Sequence, residues 1–399
     1  MVHSADGDLN TLSPEEFDID AERGFLCKFD ADRVELPEVL RPIEDAGREL
    51  PARLLSGRVR SFLESLPELD LEELLNDGDF NAYRIAMVRY SFLVQAYVWG
   101  QPEPPDRLPR NLARPICTLA TQLGQQPLLP YSSYVLDNWG RFDRSAAIDL
   151  SNIYMLQHFA DGMDESWFVL VHVAIEARAG AAIALIPKLL EAASHADTES
   201  SIETLSGMVP VWSDLNAIFD RMPEFCDPYI YFTRVRPYIH GWKDNPMLGR
   251  GLIYEGVEAH RGAPQAFRGQ TGSQSSIVPT MDALLGVGHE DDPLKQYLDE
   301  LHHYRPPKHR AWIDSVRVSS KLRPLAKQTK NAHLIEAYNE VLQAVARFRT
   351  RHLEYAASYI HKQAKTASGN DSDVGTGGTP FMRYLKKHRD ESEAQLLRA

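Results

Sequence analysis

Residues 331–365 read NAHLIEAYNEVLQAVARFRTRHLEYAASYIHKQAK, a run with neither proline nor glycine. Leu342, Val345, Phe348, Tyr355, Ala356 and Tyr359 recur at three- and four-residue spacing, which predicts one long helix with an apolar stripe. The same periodicity, with breakers at the ends, predicts helices over 52–66, 80–99, 165–193, 199–222 and 292–304. Alternating Val, Ile and Thr of the kind that marks strands is rare, and no repeat period stands out. The expected fold is therefore all-α, and larger than a simple bundle.

Working outward from the helices, the proline-rich stretch 101–109 and the segment 115–130 read as separators. They set an acidic N-terminal part apart from the longer helices and predict a small N-terminal helical domain, 1–150, beside a large one, 151–399. Two polar, glycine-rich loops stand out in the second half, at 268–276 and 366–379. The composition of the latter predicts a mobile segment of the kind that closes over a site.

The chain has 399 residues, with 43 Lys plus Arg against 56 Asp plus Glu, a net charge of −13. That charge excludes a general nucleic-acid binder, whose affinity comes from a basic face. Hydrophobic residues at 43% and charged residues at 25% are those of a globular protein with a sizeable core. The longest uncharged run, 115–136, is broken by Gln122, Gly124, Gln125, Gln126, Pro127 and Pro130 and cannot span a membrane, and no secretory signal is legible at the N-terminus. Cys27, Cys117 and Cys226 are too few and too scattered for a disulfide framework or a zinc site, so a cytoplasmic location is expected.

Phosphate loops, dinucleotide fingerprints, zinc-protease motifs and nucleophile elbows are absent, and the search for chemistry turns to three residues. His352 lies on or beside the apolar stripe of the long helix, so its imidazole faces the interior. A core histidine satisfied by a neighbour is the ordinary reading, and a proximal haem ligand the specific one. Arg347, Arg349 and Arg351 flank it, either as a solvated face or as partners for propionates. His172 sits in the apolar run Trp167-Phe168-Val169-Leu170-Val171-His172-Val173-Ala174-Ile175-Glu176. There it either pairs with Glu176 one turn on or stands over an open iron site. Arg236, among Tyr231, Phe232, Tyr238 and Trp242, either stacks on surface rings or grips a carboxylate beside an apolar pocket. His289, His302 and His303 lie in polar contexts and read as solvated.

Taken together these pieces resemble the indoleamine 2,3-dioxygenase family. The resemblance runs in order from about residue 131. It takes in Tyr131-Ser-Ser-Tyr134-Val135 with Trp139, Phe168 to Glu176, Tyr231-Phe232 with Arg236, and Gly241-Trp242-Lys-Asp-Asn-Pro246. It continues through Gly272-Ser273-Gln274-Ser275-Ser276, Asp282 to Gly286, Tyr304 to Arg310, Phe348 to Leu353 and Gly375-Thr376-Gly377-Gly378-Thr379.

The resemblance implies an all-helical enzyme that binds haem b and opens the indole ring of L-tryptophan with O2 to give N-formylkynurenine, an electron donor keeping the iron ferrous. It implies His352 as proximal iron ligand, Arg236 as binder of the substrate carboxylate, and Tyr131, Tyr134, Val135, Phe168, Tyr231 and Phe232 as the indole pocket. It further implies Thr379 in a loop that closes over the amino-acid end, with Arg349, Asp282 and Ser273 on the cofactor side. His172 stands where the best-known vertebrate members carry serine, and implies a hydrogen bond to the indole N–H. Tyr231 replaces a more usual phenylalanine and Tyr134 a small residue, giving a more polar pocket. Two alternatives remain: a haem enzyme that oxygenates or rearranges tryptophan or a derivative with the ring intact, and a haem protein that only binds oxygen.

Overall fold

The structure is a computed structural model that describes residues 12–71, 78–364 and 381–398. It is 63% helical and 4% strand, the all-α class read from the sequence. The chain order is α1 (Arg41–Leu55), α2 (Val59–Glu64), α3 (Phe80–Trp99), β1 (Arg107–Leu108), α4 (Arg110–Leu123), β2 (Trp139–Arg141) and β3 (Ile153–Met155). Then follow α5 (Met163–Ile183), α6 (Ile186–Ser194), α7 (Thr198–Asp220), β4 (Ile253–Tyr254), α8 (Ile277–Leu285), α9 (Pro293–His302), α10 (Pro307–Ser319), α11 (Leu322–Thr329), α12 (Ala332–Ala356) and α13 (Phe381–Ala394). The strands are accessory: β1 pairs in parallel with β4, and β2 pairs antiparallel with β3 in the register Trp139↔Met155.

Polar side chains start several of these helices by taking up free backbone N–H groups. Asp79 accepts from Asn81 N, Asp197 from Ser200 N, and Asn331 from Leu334 N. Two expected helices are split. Residues 52–66 straddle α1 and α2, parted where Gly57 takes φ +67°. Residues 165–193 divide into α5 and α6 because Pro187 cannot donate a backbone hydrogen bond and opens a new first turn. In the stretch taken for a separator, α4 runs through Pro115. The lost backbone bond costs about 3 kcal/mol, and burying Leu112, Ile116, Leu119 and Leu123 at roughly 1.5–3 kcal/mol each outweighs it.

Two hydrophobic cores result. One gathers α1–α4 with Tyr131–Leu136, Trp242, Tyr254 and Tyr304, and the other gathers α5–α8 and α10–α12. Helix α5 serves both, giving Val169, Leu170 and Val173 to the first and Val171, Ile175 and Ala179 to the second. It is apolar all round for that reason. The run Met163–Ser194 is long and apolar enough to cross a membrane, but 72% of that window is buried inside the protein. Helix α7 lies against both α5 and α12, and α13 packs on α12. The N-terminal segment docks on α5 at two glycines: a Cβ on Gly180 would lie 2.7 Å from the Asp20 and Ala21 carbonyl oxygens, and one on Gly24 2.0 Å from Glu176 O.

Candidate active site

Between the inner faces of α5 and α12 lies a cavity of about 700 Å³, walled by those helices together with α7, α8, the 272–276 loop and the 287–303 segment. Such a volume takes a large organic ligand. His352 projects into it from α12 and His172 from α5, while Ile175, Phe219, Ile277 and Phe348 give the walls their apolar character. Phe219 stands between the two histidines, its ring centroid 6.4 Å from His172 and 6.3 Å from His352.

The two imidazoles are prepared differently. His352 has no hydrogen-bond partner among the described residues, and burial, with a smaller effect of His172, pushes its pKa down to about 4. It is thus a neutral nitrogen donor at physiological pH, the form that binds a metal. Gly272 of the 272–276 loop is its neighbour: a Cβ there would sit in ordinary van der Waals contact, 4.0 Å from His352 Cε1. His172 Nδ1 is 2.7 Å from the Phe168 carbonyl oxygen. A carbonyl can only accept, so the proton sits on Nδ1 and Nε2 carries a lone pair. Burial lowers the His172 pKa and keeps that tautomer neutral. The intrahelical His172–Glu176 pair weighed from the sequence is not formed.

Glu176 is fully buried and turned elsewhere: its Oε1 accepts from Tyr131 Oη at 2.9 Å and from Ser275 Oγ at 2.7 Å. Burial raises its pKa to about 7 against the pull of those two hydroxyls. Arg305, also buried, does not bond to it; its Nε and Nη2 donate to the carbonyls of Ser275 at 3.1 Å and Ser273 at 2.7 Å. Tyr131 N donates to Gln274 Oε1 at 2.9 Å, so the 272–276 loop and the Tyr131 segment form one wall.

At the far end of the cavity, Arg349 Nη2 lies 2.5 Å from Asp282 Oδ2, and Arg349 also donates to Ser392 Oγ of α13. The guanidinium and His289 hold the Asp282 carboxyl down at about 2 despite burial. Of the three arginines flanking His352, Arg349 turns inward, whereas Arg351 is half-buried and pairs with Asp220 and Glu354. His289 is not the solvated residue expected: it lines the cavity between Glu391 at 2.6 Å and Asp282 at 3.6 Å, and its pKa is raised by them. His302 and His303 also line the cavity, with His302 bonded to Asp314 at 3.2 Å.

Tyr134, Val135, Phe168, Tyr231, Phe232 and Arg236 are not among the residues lining this cavity. They form an aromatic block on the other side of His172. Phe168 contacts His172 and Tyr231, each at 4.7 Å between centroids, and Tyr134 at 6.4 Å. Arg236 is fully buried, with its guanidinium carbon 5.5 Å from the Phe232 ring centroid. Two single-turn widenings to i→i+5 hydrogen bonding, Ser132–Leu136 and Tyr231–Val235, carry Tyr134, Val135, Tyr231 and Phe232. Such turns cluster at functional sites because they re-aim side chains. Thr379 and the 366–379 loop lie outside the described residues.

Glu176, Arg305, Ser275 and Phe219 were not singled out as site residues. Glu176 had a signal, a lone acid in an apolar run. His289 had none that reached its nearer partner, Glu391, which is 102 positions away.

Among the described residues no group of three or more His, Cys, Asp and Glu side chains could hold a bare metal ion. A metal on His352 would have to bring its other ligands, as a macrocycle does. An all-helical body with two neutral imidazoles, His352 and His172, turned into a large cavity with largely apolar walls has the shape and chemistry to take a large organic ligand. Comparison with known proteins gives the family. Residues 13–395 match the family described as indoleamine 2,3-dioxygenase, and the chain belongs to it. It is 34% identical to indoleamine 2,3-dioxygenase 1 of Rattus norvegicus, over 100% of this chain and 98% of the relative. It is 31% identical to the Saccharomyces cerevisiae indoleamine 2,3-dioxygenase, over 88% and 86%. It is also 27% identical to a protein named myoglobin from Haliotis madaka, over 90% and 92%. The family makes the chain an oxidoreductase of the dioxygenase type, and the family is haem-dependent.

Proposed function

We propose that this protein is a haem b enzyme that inserts both atoms of O2 across the indole C2–C3 bond of L-tryptophan, releasing N-formylkynurenine. The observation that carries the reading is His352, a neutral imidazole without a protein partner, facing a cavity whose walls are apolar and whose far end carries the Asp282–Arg349–His289 cluster. His352 would be the proximal ligand, with Arg349, Asp282 and Ser273 on the cofactor's polar edge. Bound haem supplies the redox-active iron at which dioxygen is activated, and an external electron donor keeps that iron ferrous.

The chain's own residues do the rest. Arg236, held rigid in a dry aromatic setting, pairs with the substrate carboxylate, where a buried guanidinium is worth most. Tyr134, Val135, Phe168, Tyr231 and Phe232 hold the indole and exclude water, and Tyr131 closes the side toward the 272–276 loop. His172 Nε2, forced to be an acceptor by its Nδ1–Phe168 bond, takes the indole N–H and fixes the orientation of the ring. Thr379 completes the amino-acid end. The three cysteines are free, which suits the cytoplasmic location we propose.

The Haliotis relative favours a second reading, a haem protein that only binds oxygen. The buried Arg236 weighs against it, because an oxygen carrier has no carboxylate to grip. The test is to reduce the haem-loaded protein anaerobically, add L-tryptophan, admit air and follow N-formylkynurenine. Ring-opened product is expected. A spectral shift with tryptophan but a ring-intact product would move the protein to tryptophan modification, and no response to tryptophan would leave oxygen binding.

A further inference from the structure

Among the polar groups that line the cavity, Glu176 has no part in the proposed reaction. It is fully buried on α5, and Oε1 alone receives both hydroxyls, Tyr131 Oη at 2.9 Å and Ser275 Oγ at 2.7 Å. Its Oε2 is buried with no hydrogen-bond partner among the described residues. The nearest cation, Arg305, forks onto the Ser273 and Ser275 carbonyls instead of onto the carboxyl. A buried carboxylate with one bare oxygen and no paired cation is unfavourable, and a proton on that oxygen removes the charge.

We propose that Glu176 is a positioning residue of the active site, which clamps Tyr131 and the 272–276 loop through Oε1 and carries a single exchangeable proton on Oε2 in the working protein. The inference rests on the haem reading given above. Through Oε1 it holds together the wall that reaches both histidines: Tyr131 stands edge-on to His172 at 6.3 Å between centroids, and Gly272, at the other end of the loop, lies beside His352. Loss of the proton places a negative charge one helical turn from His172 and beside the Tyr131 hydroxyl. Burial sets that loss near neutrality, at about pH 7.

The groups facing Glu176 leave it as the titrating one. On its own helix His172 is kept neutral by burial. Across from it the Tyr131 phenol is pushed far up, Ser275 does not titrate, and Arg305 stays charged with a pKa of about 10. The N-terminal segment docked at Gly24 carries Asp20 and Arg23, which are tied into that segment through Arg23 N–Asp20 and Arg23–Asp30 bonds. The remaining charged or titratable cavity groups have partners of their own: Asp282 with Arg349 and His289, Lys295 with Asp299, His302 and Arg317 with Asp314, and His303 with the Asp299 carbonyl.

The probe is carbon monoxide on the reduced, haem-loaded protein, whose C–O stretching frequency reads the charge near the distal wall without turnover. The wild type is expected to show a one-proton shift of several cm⁻¹ between pH 6 and 8. Glu176→Gln, which keeps an oxygen for both hydroxyls but cannot ionise, is expected to lose it while retaining haem. In turnover, Glu176→Gln is expected to hold kcat/KM within about threefold of wild type at pH 6 and to flatten its decline toward pH 8. Glu176→Ala, which frees Tyr131 and Ser275, is expected to raise KM about tenfold. A flat wild-type frequency, or the same titration persisting in Glu176→Gln, overturns the proposal while leaving the haem reading intact. Failure of the wild type to bind haem overturns the haem reading and this inference with it.

Discussion

The two sides of His172 are built on opposite principles. On one side, Tyr134, Val135, Phe232 and Arg236 are all fully buried, ring against ring. On the other, His352, Tyr131, Glu176, Ser273 and the Asp282–Arg349 pair surround an open volume of about 700 Å³. The aromatic side fixes shape and dryness, and it carries the Arg236 guanidinium a carboxylate would meet. The cavity side is polar at both ends, with its charges balanced internally. A protein that grips an amphiphilic small molecule and a large planar cofactor needs both, and His172 of α5 stands at the partition between them, in contact with Phe168 on one side and lining the cavity on the other. Substitutions on the two sides are therefore expected to fail differently.

The largest effect is on the cavity side. His352→Ala is expected to abolish haem incorporation, read as loss of the Soret band in purified protein, with the helical content unchanged. Full haem content in that variant would break the assignment of the cavity. On the aromatic side, Arg236→Ala is expected to keep haem and lower kcat/KM for tryptophan by 10²- to 10³-fold, roughly the 3–4 kcal/mol of a buried charge-assisted pair. Arg236→Lys is expected to recover little of it, because an ammonium cannot make the two parallel bonds. If Arg236→Ala lost haem instead, the partition would be wrong.

Smaller is the contribution of Asp282 to acid stability. Its carboxyl is held near 2 by Arg349 and His289, below its unfolded value of 3.8. A depressed pKa stabilises the fold above the unfolded value and loses that contribution as pH falls from about 4 to 2. The difference of nearly two pKa units corresponds to about 2 kcal/mol. Asp282→Asn should remove that part of the acid sensitivity in denaturant titrations at pH 5 and pH 2.5. An unchanged pH profile would mean that the cluster is not coupled to folding.

Much of this was legible in the sequence, and what was not has identifiable causes. Helix 80–99 was read to its ends because Asp79 caps its start, Gly100 follows its last residue, and no proline or glycine interrupts the apolar run between them. The long helix at 331–365 was read as one element, and the structure keeps it regular to Ala356 and then widens the turn over Ala357–His361. Helices α8, α10, α11 and α13 went unread because they are short or carry mixed faces. Pro307 at the start of α10, next to Pro306, looks like a breaker until it is seen as a first-turn proline. At the site, single residues with an odd chemistry for their surroundings, His352, His172 and Arg236, stood out. What the sequence does not carry is pairing at a distance. The partners of Glu176 lie 45 and 99 positions away, and the nearer partner of His289 is 102 away, so no local pattern marks them.

The smallest effect tests the partition itself. His172 belongs to both sides: its ring contacts Phe168 of the aromatic block and also lines the cavity. Because Phe168 O holds the proton on Nδ1, Nε2 can only accept, and its contribution is one neutral hydrogen bond from an indole N–H. Such a bond is worth about 1 kcal/mol, so His172→Ser is expected to lower kcat/KM for tryptophan only about fivefold. The more telling readout is selectivity. A methyl group on the indole nitrogen removes the donor and sets a carbon against a lone pair, so the wild type should discriminate against 1-methyl-tryptophan and His172→Ser should discriminate less. If both proteins turned over 1-methyl-tryptophan as fast as tryptophan, Nε2 would not be facing the indole nitrogen. The histidine would then belong to the cavity side alone, as a polar group near the cofactor with no hand in orienting the substrate.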